Sequence, residues 1–176
     1  MKKSFCFILF ILGSHFIHSQ TKLPIKNFGT IYLSQNDTLM LDKDKVHRVI
    51  FDISTTARQR GKSNPQFETI ARFINLHVAK GVPQENLKIV ATLHGSATKD
   101  GLKNSFYKNA IGEDNPNLKI IKALKEFGVD FYLCAQSIEG YGFQEDQYSK
   151  YIDISPSAMT ALIYFQERGH ILIDFN

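Results

Sequence analysis

From residue 47 to residue 175 the chain switches between short continuous apolar runs and longer stretches in which apolar residues recur every three or four positions. His47 to Ile53, rich in β-branched and aromatic residues, predicts a strand. From Pro65 to Lys80, Phe67, Ile70, Ala71, Ile74 and Val78 mark one face of a helix. Pro65 suits its first turn, and Gly81 suits the position just past its end. Asn86 to Leu93 reads as a strand again. The poorly periodic segment from Ala97 to Asp114 predicts one or two short helices. Leu118, Ile121 and Leu124 mark a helix that stops at Gly128, and Val129 to Cys134 reads as the next strand. Ala135-Gln136-Ser137 then starts a turn or short helix. Tyr151 to Ile154 predicts a short strand. Ser155-Pro156-Ser157 opens a last helix over Ala158 to Arg168, Gly169 ends it, and His170 to Phe175 is a final strand.

Strands alternating with helices of these lengths predict βαβ units. They form an α/β fold, a three-layer α/β/α sandwich with a mostly parallel sheet. Right-handed crossovers would gather the loops that follow the strands along one edge, where open α/β sheets bind ligands. Three loops qualify: Ser54 to Asn64, His94 to Ala97, and Cys134 to Gly142. Residues 47–176 form one domain on this reading. Residues 20–46 match no βα unit. Their two short runs, Thr30 to Leu33 and Thr38 to Leu41, flank Gln35-Asn36-Asp37 and predict a hairpin-like extension.

The first nineteen residues change the setting. Lys2 and Lys3 precede an apolar stretch from Phe5 to Leu12, and Ser19 offers a small residue before Gln20, the pattern of a cleaved secretory signal. Export to the periplasm is the expectation, with no membrane span left after cleavage. Loss of both lysines lowers the formal charge from +4 by two units, too little to argue for nucleic acid, and no basic cluster with interleaved aromatics occurs. Cys6 leaves with the signal. Cys134 is then a lone thiol, buried or used, and unable to form an intramolecular disulfide.

Cys134 closes an apolar strand and opens a turn, a place where backbone N–H groups stabilise a thiolate. Ser137, three residues on, is placed to cap that turn or to hydrogen-bond the sulfur. His94 follows a neighbouring strand and belongs to the same edge, where an imidazole would take the thiol proton or balance a charged sulfur. The opposing readings are a buried, inert cysteine and a histidine that only fixes its loop. Cys134-Ala135-Gln136-Ser137 also spells C-x-x-S, but it comes too late in the chain for a thioredoxin-like motif. Arg58 and Arg60 could receive an anion in the first loop or simply be solvated. Gly140-Tyr141-Gly142 is no phosphate-binding fingerprint. No His, Cys, Asp and Glu spacing fits a metal, and no cofactor is expected. Met159, Ala161, Leu162 and Phe165 form an apolar face on the last helix, and Tyr164, Tyr141 and Phe143 suit a subunit interface.

Several separated blocks resemble the DsrE/DsrF-like family. They are Val49 to Ser54, Ala71 to Leu76, Gly81 to Ile89, Leu93 to Thr98, Asn115 to Leu118, Tyr132 to Ser137 and Ser157 to Leu162. The resemblance implies a flavodoxin-like sandwich that assembles into trimers or hexamers. It also implies a sulfurtransferase-like carrier that accepts sulfane sulfur as a persulfide on the cysteine matching Cys134, with donor or acceptor proteins as partners. The relay members work in the cytoplasm, whereas this chain reads as exported. An oligomeric binding protein without catalysis is the alternative. Nothing suggests a bound flavin.

Overall fold

The computed structural model describes residues 23–175. The strands are β1 (His47–Ile53), β2 (Leu87–Leu93), β3 (Asp130–Cys134), β4 (Asp153–Ser155) and β5 (Ile171–Asp174). The helices are α1 (Pro65–Ala79), α2 (Asn104–Ile111), α3 (Leu118–Phe127), α4 (Ala135–Gly140) and α5 (Ala158–Gln166), and Gly95–Gly101 forms a 3-10 segment. All strand pairs are parallel, in the order β4-β3-β2-β1-β5. Each step from β1 to β4 moves one strand in the same direction, so right-handed crossovers put α1 and α3 on one face. The return from β4 to β5 runs the other way and puts α5 on the opposite face, across β1, β2 and β3. This is the three-layer α/β/α arrangement that the alternation predicts.

The main core lies under α1 and α3. Phe67, Ile70 and Ile74 of α1 and Ile120, Ile121 and Leu124 of α3 are fully buried against Ile53, Leu93, Phe131 and Leu133. Phe67 and Phe131 meet edge to face, with ring centroids 6.1 Å apart. The other face carries a thinner layer in which Ile50 and Val90 lie under Ala158 and Ala161 of α5. Because β2 is buried on both faces, its sequence reads as an apolar run rather than an alternation. Local signals agree: the Asn64 side chain caps α1 by accepting from the Gln66 N–H at 2.9 Å, and Ser157 caps α5 by accepting from the Thr160 N–H at 3.0 Å.

Two expectations change. No strand forms within 23–46, so the hairpin is absent there, and Tyr32, Leu39 and Met40 are exposed. The backbone of this segment finds partners on α1 instead of on itself. Asn75, fully buried, accepts from the Ile25 N–H at 3.0 Å and donates to the carbonyls of Ile25, Phe28 and Gly29. A two-stranded hairpin with no third element is marginal in water, and the Asn75 amide anchors residues 25–29, ahead of both runs, to α1. The last helix also lacks the single apolar face expected of it: Ala158 and Ala161 are buried, but Met159 is 71 % exposed. A helix apolar on most sides does not reveal which side meets the sheet. The signal segment and Cys6 lie outside the described residues. Among the described residues, no helix is long and apolar enough to cross a membrane.

Candidate functional site

Strand register assembles the site. Ile53 pairs with Leu93, and Leu93 with Leu133, all three fully buried toward α1 and α3. His94 and Cys134 lie one step beyond that row with extended backbones, so pleat alternation turns both side chains to the α5 side. Asp52 and Thr92, paired one step before it, face the same way. Asp174 of β5 is paired with Asp52. The sheet thus brings Cys134 and His94 to one edge, as their positions after strands predict.

Cys134 is 5 % exposed. Burial is the largest influence on its thiol and pushes the pKa up, yet the combined hydrogen bonding outweighs it and the net shift is downward. The Ser137 hydroxyl is the first of these donors, followed by the backbone N–H groups of Ser137, Ala158 and Gln136. Gln136 and Ser137 lie in the first turn of α4, whose N-cap residue is Cys134. The Ala158 N–H comes from the start of α5. Ser137 is itself oriented, because its Oγ accepts the Gly95 N–H at 3.2 Å. Only glycine fits at position 95: φ is +50°, and a Cβ would lie 2.7 Å from the Ser54 carbonyl oxygen.

His94 is held by Asp52. Nε2 and Oδ1 are 3.0 Å apart, and the Thr92 hydroxyl donates to the same Oδ1 at 2.9 Å. The hydrogen bond that His94 donates to Asp52 is the largest influence on His94 and raises its pKa; burial opposes it, and the charges of Asp52, Cys134 and Asp174 add to the rise. On Asp52, burial pushes upward most, but the bond and charge of His94 with the Thr92 hydroxyl carry the pKa below its ordinary value. Asp52 was not among the residues picked out by the sequence. Its signal was there, a carboxylate on the alternate position of an otherwise apolar strand end, Val49 to Ile53.

A second polar group shapes the edge from below. Asp100, fully buried, accepts from the Thr56 hydroxyl and from Asn64 Nδ2 at 2.7 Å, and burial pushes its carboxyl up to about 6. It ties the loop after β1 to the segment after β2. Arg58 and Arg60 are exposed on that first loop. His77 of α1 meets the His47 ring edge to face and packs on Phe73, and His170 packs on Phe165, so none of these joins Cys134. Among the described residues, no group of three or more His, Cys, Asp or Glu is placed to hold a metal ion. A hollow of about 290 Å³ lies in the corner of β3, β4 and α5, lined by Tyr132, Ser155, Thr160 and Tyr164 among others. Ser155 is the register partner of Cys134.

Comparisons with known proteins agree with this architecture. The protein of unknown function MTH1491 from Methanobacterium thermoautotrophicum superposes with a TM-score of 0.55 at 16% identity, covering 73% of this chain and 99% of its own. The ychN protein from E. coli superposes with a TM-score of 0.52, at the same identity and coverage. At this identity the likeness concerns the fold alone, a parallel sheet in a flavodoxin-like arrangement. No curated protein matches the sequence. The model of the DsrE/DsrF-like family matches residues 48–175, from the second residue of β1 to one residue past the end of β5 and so through every strand and helix described above; the chain belongs to that family.

Proposed function

We propose that the protein binds and relays sulfane sulfur as a persulfide on Cys134, assisted by His94 and Ser137. One observation carries the reading: a buried thiol whose pKa is nevertheless lowered, because a hydroxyl and three backbone N–H groups converge on its sulfur. Such a setting favours the thiolate as nucleophile and equally favours the persulfide anion that replaces it. The Cys134 thiolate attacks the terminal sulfur of a hydropersulfide R–S–SH. A new S–S bond forms, the old one breaks, and R–S⁻ leaves. Protonated His94 gives its proton to that leaving thiolate and regains one from the more acidic Cys134–S–SH. One sulfur atom moves, and no oxidant or reductant is consumed.

The family link to sulfur relay supports this assignment in general terms. The rest of the reading places the protein in the periplasm after removal of residues 1–19, as a trimer or hexamer that exchanges sulfur with partner proteins. The exposed apolar side chains of α5 and β5, Met159, Ile163, Tyr164 and Ile171, suit the contact between copies.

A second reading, a non-catalytic oligomeric binding protein, has one observation in its favour, the 5 % exposure of Cys134. Intact mass after treatment with thiosulfate or polysulfide separates the two. A gain of one sulfur atom, reversed by reductant and absent in Cys134→Ser, is expected for the relay. An unmodified thiol with every donor would leave the binding protein.

A further inference from the structure

Asp52 is a carboxylate in an apolar strand, between Phe51 and Ile53, and its side chain is only 16 % exposed. An ionised carboxyl there is costly unless it is paired and hydrogen-bonded. Its Oδ1 receives both the Thr92 hydroxyl and His94 Nε2. The bond to Nε2 selects the ring orientation of His94 and requires a proton on that nitrogen, a role that carboxylates commonly serve for functional histidines. We propose that Asp52 is the positioning residue of this site: it fixes the His94 ring and supplies the negative charge that an imidazolium beside Cys134 requires. Its meaning for sulfur transfer rests on the persulfide reading above.

The groups around His94 make the assignment specific. Asp52 faces it from β1, Asp174 from β5 and Cys134 from β3. α5 contributes Ala158 and Ala161 to the buried layer, and neither carries charge. Asp174 acts on the ring through its charge, whereas Asp52 also holds it by a hydrogen bond. Their substitutions therefore separate positioning from a general negative field. Without Asp52, His94 would lose its proton at lower pH, and Cys134 would then more often face a neutral ring during attack and departure of the leaving thiolate.

The test uses the full chain, with NMR titration of the His94 ring protons, assigned by comparison with His94→Gln. In parallel, the pH dependence of Cys134 alkylation by iodoacetamide is measured. In the unsubstituted protein, His94 should titrate above 6.5. Asp52→Asn should lower that midpoint by about one pH unit, a tenfold change in its proton equilibrium. It should also slow alkylation several-fold near neutral pH, while Asp52→Glu restores most of both. Asp174→Asn should move the midpoint less. An unchanged midpoint in Asp52→Asn, or an equal shift in Asp174→Asn, overturns the assignment. Should Asp52→Asn fail to fold, the unsubstituted titration decides, and a midpoint at or below 6.5 rejects the pairing. Failure of Cys134 to take sulfur from any donor would end the relay reading, yet both arms here would still judge Asp52.

Discussion

Burial ordinarily keeps a thiol protonated, because the charged form loses its hydration. At Cys134 the donors around the sulfur reverse that tendency, and Ser137 is the largest of them. Ser137→Ala should therefore raise the Cys134 pKa by about one unit, from the loss of one hydrogen bond to a charged group. Alkylation of the native protein at neutral pH should slow several-fold, with little change in melting temperature. The Asp52–His94 pair leaves a separate mark on stability. His94 has a folded pKa above 6.5, so its contribution is complete below 6.5 and fades as pH rises through the raised value. Asp52 has a folded pKa below 3.8, so its contribution is present above 3.8 and is lost as pH falls through the lowered value. In a Cys134→Ser background, which removes the thiol's own slope of opposite sign, stability should decline as pH is raised beyond 6.5. Urea denaturation of Asp52→Asn in that background should show a weaker decline. At this scale Cys134, His94 and Ser137 were legible from type and position. Asp52 and Asp100 were not, because their roles depend on neighbours 36 or more residues away in the chain.

Gly95 shows how an element boundary serves the site. Its backbone turns the chain from β2 into the 3-10 segment, its N–H orients Ser137, and it passes close to the Ser54 carbonyl. Gly95→Ala sets a Cβ against a backbone oxygen at positive φ, which should cost about 1–3 kcal/mol by urea denaturation. The variant should also lose part of the thiol reactivity that Ser137 confers. His94-Gly95 was legible as a strand ending in a turn, since glycine punctuates a short apolar run. The segment from 23 to 46 was not. Its short apolar runs have the period of strands, but a run of four residues does not state its partner. Asn75 on α1 anchors the chain at residues 25–29, just ahead of the first run, and neither run forms a strand.

Across the molecule, coverage of the sheet is uneven. α1 and α3 bury one face deeply, while the single return crossover leaves α5 to cover the other and β5 at the edge of the sheet. Met159 and Ile171 are 71 % and 70 % exposed there, and an unpaired apolar edge is a template for association. Met159→Lys combined with Ile171→Lys should reduce an oligomer to monomers in sedimentation, with the melting temperature of the isolated chain nearly unchanged. A protein that already sediments as a monomer would remove this surface from the assembly proposal.

Periodicity, with the Pro, Gly and Ser boundaries, determined the strands and the longer helices in order, and their alternation determined a parallel sandwich whose loops collect on one edge. Those are local properties: side-chain spacing along a strand or helix is set by backbone geometry, and crossover handedness follows from the chirality of the residues. Register, the burial of each helix face and the partners of each polar group were decided only in the folded chain. They depend on which residues from distant segments compete for the same hydrogen bonds and the same space. The lowered thiol of Cys134 is of that kind. The cysteine and its serine are written four letters long, but the Ala158 N–H and the Gly95 turn that orients Ser137 come from elsewhere in the chain.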